Sequence, residues 1–344
     1  MLNEKYVLVT GGAGYIGSHT VVELYANGYT PVIVDDFRNS TKIVIQGIEK
    51  ITGQIAKVYE LDICDITALK TIFDNYTFTG IIHFAAYKAV GESVDEPLKY
   101  YKNNIVGLLN ILELSKEFNV NPIVFSSSCT VYGEPKDLKE VKESTPLSPP
   151  NSPYGNTKLI GEQILNDYFV SQENAKILNL RYFNPIGAHP SALIGEYPIG
   201  KPTNLLPYIT QTAIGKLDIL TVFGNDYPTK DGSCVRDYIH VCDLAKAHVH
   251  AFKFLEKQSE GLIEAVNIGT GDGVTVLEVI SAFERISGAQ LNWKIGPRRS
   301  GDVIEIFANI EKSKTLLNWQ AVFTFNDAIK HAWMWENNLL ENEK

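Results

Sequence analysis

The 344-residue sequence is poor in cysteine, and its few cysteines are not arranged for disulfides or metal binding. Cys64, Cys129, Cys234 and Cys242 form no CxxC pair, and no histidine stands at metal-ligand spacing from them. Because zinc sites and disulfide frameworks depend on such spacings, neither is expected to organise the fold, and no metal is predicted. Scattered thiols are typical of proteins in a reducing compartment, so we predict a cytoplasmic location.

Long apolar runs are also lacking. No run approaches the roughly 18 apolar residues that a membrane helix requires, so no membrane association is predicted. Near the start, the charged Glu4 and Lys5 precede only a short apolar stretch, Tyr6–Val9, and this pattern predicts no secretory signal peptide. We therefore expect a soluble protein.

Positive charge is in short supply. The 31 Lys and Arg residues stand against 40 Asp and Glu residues, which gives a net charge of −9. A surface that binds nucleic acid needs clustered cations to neutralise phosphates, so nucleic acid is not an expected partner. The balance still allows one small phosphorylated ligand to be held by a few well-placed cations.

The first half of the chain alternates short β-rich runs with longer helical patterns. Helical spacing predicts His19–Asn27, which ends before Gly28, and Asp95–Phe118. Strand, helix and strand repeated in this order predict right-handed crossovers and an α/β fold with a doubly wound parallel sheet. The predicted strands, several of them nearly continuous in Val, Ile and Leu, are Tyr6–Thr10, Pro31–Asp35, Ala56–Leu61, Gly80–Phe84 and Pro122–Ser126.

The second half has a different character. A length of 344 residues corresponds to roughly two domains of about 150 residues. After Arg181, Gly and Pro become frequent, which predicts a loop-rich second domain with further elements such as Val241–Leu255 and Ala265–Ile268. The boundary is soft, because some later segments could return to the first domain.

A glycine-rich loop follows the first predicted strand. Gly11, Gly14 and Gly17 are spaced three apart where the strand turns into the first helix. In a dinucleotide site the first glycine permits the tight turn, the second lets the backbone approach a pyrophosphate, and the third allows close helix packing. An ordinary strand-to-helix turn can carry the same glycines, so the loop alone does not decide between the two.

An acidic pair follows about twenty residues later and strengthens the dinucleotide interpretation. Asp35 and Asp36 end the second strand, where a carboxylate accepts hydrogen bonds from the adenosine ribose. A carboxylate there repels the extra phosphate of NADP, so NAD is the predicted cofactor. Arg38 is the counter-argument, since a nearby arginine can bind that phosphate. Asp62 ends the third strand, where adenine would lie, although aspartate is also common in turns.

A catalytic set is predicted at the start of a later helix. Tyr154 and Lys158 are four residues apart, so the phenol and the ammonium lie on one helical face. A nearby cation favours the tyrosinate, which can then take a proton from a substrate hydroxyl. Ser128, just after the fifth strand, can supply a hydroxyl between substrate and tyrosine. Without the glycine loop, a tyrosine and lysine at this spacing would be read as two surface residues.

Eight longer segments extend these motifs over essentially the whole chain: TGGAGYIGSH, HFAAYKAVGESV, FSSSCTVYGE, SPYGNTK, LRYFNPIGAHPS, FGNDYPTKDG, VRDYIHV and PRRSGD. Their order resembles the UDP-galactose 4-epimerase (UDP-glucose 4-epimerase) family of extended short-chain dehydrogenase/reductases. The resemblance implies a Rossmann-type NAD-binding domain over 1–183 and a second, smaller α/β substrate domain for the UDP-sugar over 184–344. It also implies tightly held NAD and a homodimer packed through the helices Asp95–Phe118 and Tyr154–Ser171.

The resemblance assigns site residues as well. Tyr154 becomes the base, Lys158 its electrostatic partner and ribose ligand, and Ser128 the hydroxyl relay. The implied cofactor-binding residues are Gly11, Gly14, Tyr15, Ile16, Gly17, Asp35, Asp36, Phe37, Arg38, Asn39, Ser40, Asp62, Ile63, Phe84, Ala85, Ala86, Tyr87, Lys88, Asn103, Tyr154, Lys158 and Phe183. The implied substrate-binding residues are Lys88, Ser128, Tyr154, Asn184, Asn204, Leu205, Phe223, Arg236, Arg299, Asp302 and Ile306.

The predicted reaction is the interconversion of UDP-galactose and UDP-glucose through a 4-keto intermediate. Two alternatives are weighed against it. A sugar-nucleotide 4,6-dehydratase would need an acidic pair after Ser128, where this chain has Cys129 and Thr130. A non-catalytic NAD-sensing scaffold would keep the glycines but has no need of the Tyr, Lys and Ser set.

The substrate range depends on one position. Ile306 stands where the family has a residue that limits the size of the sugar pocket. Isoleucine is shorter than tyrosine but β-branched and stiff, so the sequence leaves open whether UDP-N-acetylhexosamines are accepted.

Overall fold

The structure, a computed structural model, describes residues 4–135, 139–299 and 302–342. A seven-stranded sheet in the order β11-β7-β5-β4-β1-β2-β3 forms its centre, and every pairing in it is parallel. The order runs outward in both directions from β1, so the α/β fold with a Rossmann-type doubly wound parallel sheet is confirmed. Its strands are β1 (Tyr6–Thr10), β2 (Thr30–Asp35), β3 (Lys57–Glu60), β4 (Phe78–His83), β5 (Ile123–Ser126), β7 (Lys176–Tyr182) and β11 (Leu262–Ile268).

Helices cover both faces of this sheet. Alternate strand residues serve opposite faces: Val7 and Val9 belong to one hydrophobic cluster, while Leu8 between them belongs to another. The first face carries α1 (Tyr15–Ala26), α2 (Lys42–Thr52), α8 (Val241–Glu256) and α10 (Glu311–Leu317). The second face carries α3 (Ile66–Asn75), α5 (Pro97–Glu117) and α6 (Pro153–Ser171).

The remaining elements form a smaller α/β layer beside the carboxyl end of the large sheet. Strand β10 lies at its centre and pairs with three neighbours, two parallel and one antiparallel. The strands are β6 (Glu140–Val141), β8 (Asn184–Ile186), β9 (Leu220–Phe223), β10 (Val235–His240), β12 (Gly273–Thr275), β13 (Trp293–Gly296) and β14 (Glu305–Ala308). The helices of this layer are α7 (Leu205–Ala213), α9 (Val276–Ser287) and α11 (Phe325–Asn342), whose apolar faces share one cluster. The short helix α4 (Val90–Asp95) lies against α5 and α6 instead.

Two predicted helices have different bounds from those expected. The first helix begins at Tyr15 rather than His19, because the chain enters helical geometry directly after Gly14. The helix predicted over Asp95–Phe118 is α5, which begins at Pro97, while Asp95 is the last residue of the separate helix α4. Proline lacks the amide that a continuous helix would need there, but it suits a first helical turn.

Two elements that follow the boundary predicted near residue 183 return to the large sheet. Strand β11 pairs with β7 along its whole length, from Leu262 opposite Lys176 to Ile268 opposite Tyr182. Helix α8 packs against α1 on the first face. Both elements follow residue 183 in sequence and belong to the large sheet in space. Within the described ranges, no helix is long and apolar enough to cross a membrane.

Candidate active site

A cavity of about 430 Å³ opens at the carboxyl end of the large sheet. Its walls come from the segments that leave β1, β2, β4 and β5, together with the first turns of α6, which carry Tyr154 and Lys158. The crevice between β1 and β4 is the point where the strand order reverses direction, which is where open α/β sheets bind ligands. The topology therefore brings the glycine loop and the predicted catalytic pair to one cavity.

Two glycines of the glycine loop lie too close to neighbouring backbone to carry a side chain. A Cβ on Gly11, whose φ is +70°, would lie 2.7 Å from the Ala85 amide nitrogen, and one on Gly17 would lie 2.2 Å from the Gly11 carbonyl oxygen. Gly14 is the N-cap of α1 and provides no side-chain cap. The first amides of α1 are therefore available to an anion at the positive end of the helix, which fits a dinucleotide pyrophosphate.

The Asp35 carboxylate is hydrogen-bonded to this loop and to the residues that follow β2. Its carboxylate accepts hydrogen bonds from the Ala13 amide at 3.0 Å, the Phe37 amide at 3.0 Å and the Ser40 hydroxyl at 2.8 Å. Burial raises the pKa of Asp35, while these hydrogen bonds act in the opposite direction. The left-handed backbone of Phe37, at φ 56°, turns the chain so that these donors converge.

Arg38 is neutralised by two carboxylates. Its guanidinium lies 3.3 Å from an Asp36 oxygen, forms an ion pair with Asp62, and donates to the Tyr87 hydroxyl at 3.3 Å. Burial alone would raise the pKa of Asp62, but hydrogen bonds from the Cys64 amide and Arg38 leave that pKa below its ordinary value. A ribose 2′-phosphate would meet both acids here, so the geometry favours NAD over NADP.

The predicted catalytic residues meet between α6 and the end of β5. Burial raises the pKa of the Tyr154 phenol well above its ordinary value, whereas a hydrogen bond with the Ser128 side chain acts in the opposite direction. Burial also lowers the pKa of Lys158 to about 7. The Lys158 ammonium donates to the Ser126 carbonyl oxygen at 2.7 Å. The phenol thus needs positive charge close by to serve as a base, and Lys158 is placed to provide it.

A buried polar network supports this corner. The Ser126 and Tyr182 hydroxyls are hydrogen-bonded at 2.6 Å, and the Ser127 hydroxyl donates to Glu162 at 2.5 Å. The Arg181 guanidinium donates to both oxygens of Glu162, from Nε at 2.9 and 3.2 Å and from a terminal nitrogen at 2.6 Å. Breaking one member of such a buried pair costs more than the pair itself contributes, so these contacts hold Ser126, the last residue of β5, and Ser127 in one arrangement.

Most of the predicted cofactor residues line the cavity, but some predicted site residues do not. Among the described residues, Phe37, Asp62, Ser128 and Phe183 lie outside the lining, as do the eight predicted substrate residues from Asn184 onward. The lining contains Gly11, Gly14, Tyr15, Ile16, Gly17, Asp35, Asp36, Arg38, Asn39, Ser40, Ile63, Phe84, Ala85, Ala86, Tyr87, Lys88, Asn103, Tyr154 and Lys158.

The predicted diphosphate cations converge on one acid. The Arg299 guanidinium donates to Asp302 at 2.6 Å and lies over the Phe223 ring, 5.6 Å from its centroid. Arg236 lies 3.8 Å from the same Asp302 oxygen. Two guanidiniums next to one carboxylate form a fork of donors that suits a bound diphosphate.

The other predicted substrate residues lie on β14, on β8 and at the start of α7. Ile306 is directly opposite Arg236 in the β10–β14 register and is buried in a cluster with Phe183. Asn184, on β8, has a buried amide oxygen without a hydrogen-bond partner in the part of the chain that the structure describes. Asn204 is the N-cap of α7, and Leu205 is its first residue.

One wall of the cavity was missed by sequence reasoning. Residues 195–199, with Lys201 and Thr203, contribute lining positions, and Glu196 accepts hydrogen bonds from both Lys88 and Asn204. The glycines and prolines there predicted only a loop. Across the described ranges, no group of three His, Cys, Asp or Glu side chains is arranged to hold a metal ion.

Known proteins resemble this chain over nearly its whole length. The model of the GDP-mannose 4,6 dehydratase family matches residues 8–332. The UDP-glucose 4-epimerase of Dictyostelium discoideum is 50% identical over 334 residues, which cover 97% of this chain and 96% of that protein. The UDP-glucose 4-epimerase of Bacillus subtilis is 48% identical over 340 residues and 98% of both chains.

Solved structures are equally similar. A UDP-glucose 4-epimerase from Bifidobacterium longum in complex with NAD⁺ and UDP superposes with a TM-score of 0.93 at 44% identity, covering 97% of this chain and 98% of that one. A UDP-glucose 4-epimerase from Stenotrophomonas maltophila with bound NAD and formylated UDP-arabinopyranose gives 0.94 at 44% identity, with 98% and 100% coverage.

Proposed function

Because the chain belongs to the UDP-glucose 4-epimerase family, we propose that it interconverts UDP-galactose and UDP-glucose by reversible oxidation at sugar C4. The observation that carries this proposal is the shared cavity, which has the glycine loop on one wall and Tyr154 with Lys158 on another. Oxidation of a secondary alcohol needs an acceptor for the hydride on the carbon and a base for the proton on its hydroxyl oxygen. The two walls supply a place for each.

NAD is the cofactor, and the chain has donors and space to hold it. The first amides of α1 would bind the pyrophosphate, Asp35 and Asp36 would bind around the adenosine ribose, and Lys158 would bind the second ribose. When bound, NAD would supply the hydride acceptor for oxidation at C4 and the hydride donor for reduction of the ketone from its opposite face.

Tyr154 is the base in this scheme. It takes the proton of the C4 hydroxyl, with the Ser128 hydroxyl as relay, and gives the proton back when the ketone is reduced. Since burial raises the pKa of the phenol, deprotonation depends on Lys158 charge in the same cavity. The pocket must hold the nucleotide firmly and the hexose loosely, so that the ketone can turn over between the two transfers.

The UDP end of the substrate lies at the second layer in this proposal. Arg236 and Arg299 bind the diphosphate, with Asp302 holding both guanidiniums in place before the substrate arrives. Phe223 offers a ring face beside Arg299. Residues 1–183, with the later elements that join the large sheet, then form the NAD-binding part, and most of 184–344 forms the UDP-sugar-binding part.

Acceptance of UDP-N-acetylhexosamines depends on Ile306 in this proposal. Its side chain is buried against Phe183 rather than projecting far from its strand, which leaves more room than a tyrosine would. Turnover of UDP-N-acetylgalactosamine compared with UDP-galactose tests this directly.

A homodimer in the cytoplasm is part of the proposal. Helices α5 and α6 pack side by side and carry exposed apolar residues, including Leu98, 81% exposed, and Val170, 76% exposed. Such residues favour burial against a second copy of the same helix pair.

The four cysteines carry free thiols, which is typical of a reducing compartment. Sedimentation equilibrium and cell fractionation test these two statements.

The 4,6-dehydratase reaction is not favoured, although the matching family model carries that description. Elimination of water needs an acid and a base beside Ser128. Here the next residue is Cys129, and burial raises the pKa of its thiol to about 12, so that it stays protonated. Thr130 follows and is not a titrating group in the working pH range.

Incubation of the purified protein with UDP-galactose, without added NAD, tests the proposal. Conversion to an equilibrium mixture with UDP-glucose is expected, with no net change in nicotinamide absorbance. A 4-keto-6-deoxy product, or no reaction after NAD is supplied, would contradict it.

A further inference from the structure

One oxygen of Glu196 connects the two sides of the cavity. Glu196 Oε1 accepts a hydrogen bond from the Lys88 ammonium at 2.9 Å and from the Asn204 side-chain amide at 2.5 Å. Lys88 follows β4 on the cofactor side, and Asn204 caps α7 on the substrate side. The two donors are 116 positions apart in sequence, so this carboxylate is a specific long-range link.

The backbone at Glu196 is held in place by contacts with Trp335 of α11. Its carbonyl oxygen accepts a hydrogen bond from the Trp335 indole N–H at 2.9 Å. A Cβ on Gly195 would lie 2.5 Å from the Trp335 ring, so only glycine allows the chain to pass there. A bridge between Ala188 and Gly195 closes the same loop. The carboxylate is therefore presented by a rigid support on α11 and does not belong to a free loop.

A negative charge on Glu196 is energetically unfavourable unless a nearby cation neutralises it. The Glu196 side chain is 12% exposed and lines the cavity that contains the anion-binding glycine loop. Its charge also contributes, after burial, to raising the pKa of Tyr15. Both ligands of the proposed reaction carry diphosphates, which a carboxylate repels. Lys88 is the cation that neutralises it, and its ammonium also lies 5.9 Å from the Tyr15 ring centroid.

We infer that Glu196 is a positioning residue that holds Lys88 on the cofactor side and Asn204 on the substrate side through one shared oxygen. The inference deepens the proposed function and rests on it. When the substrate takes the Asn204 amide, the oxygen is left to Lys88 alone, and their charge-assisted hydrogen bond strengthens. Substrate binding thereby fixes Lys88 at the cofactor.

A double-mutant cycle on the NAD-loaded enzyme tests this inference. We expect Glu196→Gln to raise KM for UDP-galactose about fivefold and to change kcat less than about twofold, since no reacting atom is touched. Lys88→Met should raise KM by more than about tenfold, because it leaves an uncompensated carboxylate facing the diphosphates. The double variant should return to about the KM of Glu196→Gln alone. A purely structural role would not produce this partial rescue.

Glu256→Gln is the matched control. Glu256 is 22% exposed, lies 3.5 Å from the Lys5 ammonium, accepts a hydrogen bond from the Tyr29 hydroxyl and is not part of the cavity lining. Its substitution should leave KM within about twofold of the wild type. Calorimetric titration with UDP gives a second readout, and Glu196→Ala replaces Glu196→Gln if the latter does not fold.

Three outcomes would overturn the inference. The first is a KM of Glu196→Gln within twofold of the wild type, and the second is a double variant with a higher KM than Lys88→Met. The third is a Glu196→Gln variant that loses equally in kcat and in kcat/KM. If instead the wild type does not convert UDP-galactose at all, the proposed function fails. Calorimetric titration of the variants with UDP then still tests whether Glu196 positions Lys88 and Asn204.

Discussion

The Lys158 ammonium donates a hydrogen bond to the Ser126 carbonyl oxygen at 2.7 Å. This contact ties α6 to the carboxyl end of β5. Tyr154 is one helical turn before Lys158, and Ser128 is two residues after Ser126, so the bond sets the distance between the base and its hydroxyl relay. The same contact keeps a cation in a site whose burial disfavours charge.

Substitution of Tyr154 by Phe should abolish epimerisation without unfolding the protein. The ring keeps its packing, while the proton acceptor is lost, so we expect kcat to fall by about 10³-fold or more. Initial rates with UDP-galactose and a thermal melt measure the two effects.

Tyr168→Phe is the control on the same helix. Tyr168 packs in the cluster between α5 and α6 and lies outside the cavity lining. It should keep wild-type kcat. An active Tyr154→Phe enzyme would remove the tyrosine from the mechanism.

Cofactor choice should depend on the carboxylates around Arg38. In Asp36→Ser/Asp62→Asn the guanidinium is released from both ion pairs, so it can bind a 2′-phosphate. We expect the preference for NAD over NADP to weaken by about tenfold or more. Mass spectrometry of the nucleotide retained from an equimolar mixture measures it. Glu60→Gln, which breaks an exposed pair with Lys42, should leave the preference unchanged.

Loss of Arg299 should weaken UDP binding. Arg299→Met removes a donor fork beside Phe223, and we expect the Kd of UDP to rise about tenfold and to depend less on salt. Arg298→Met is the neighbouring control, because Arg298 pairs with Asp226 at 2.7 Å instead. Equal effects of the two substitutions would mean that general charge, rather than the placed guanidinium, attracts UDP.

Stability should fall as pH drops below 6.5. Burial lowers the pKa of His248 to about 4, and of His19, His83 and His240 to about 3. Between about pH 6.5 and 4 the unfolded chain binds these protons and the folded chain does not, so each histidine costs about 1.4 kcal/mol per pH unit.

His248→Phe isolates one of these protons. The slope of the unfolding free energy against pH, from urea titrations between pH 5 and 6, should decrease by about 1.4 kcal/mol per unit. Between pH 7.5 and 8.5 the two proteins should have the same slope. An unchanged slope at low pH would mean that His248 titrates normally in the folded protein.

Local patterns predicted much of the fold. The strand β1 and the turn after it were predicted because continuous apolar residues and three glycines act within a few positions. The start of α5 was predicted two residues too early, although Pro97 is a common first residue of a helix. The return of β11 to the large sheet has no local signature, since its partner β7 is distant in the chain.

The site residues likewise fall into those that local spacing predicted and those that it did not. Gly11, Asp35, Tyr154 and Lys158 were found because their spacing follows from one turn or one helix. Glu196 was not, because its position depends on Trp335, 139 residues away. A Gly–Glu pair within a proline-rich loop carries no pattern that reports such a contact.

Transfer of a deuterium label from sugar C4 tests the central claim most directly. UDP-galactose deuterated at C4, converted by the protein in ordinary water, should give UDP-glucose that retains the deuterium at C4 and should react with a primary isotope effect. The retention follows because the hydride leaves and returns within one closed pocket. Replacement of the label by solvent hydrogen during conversion would contradict reversible oxidation at C4.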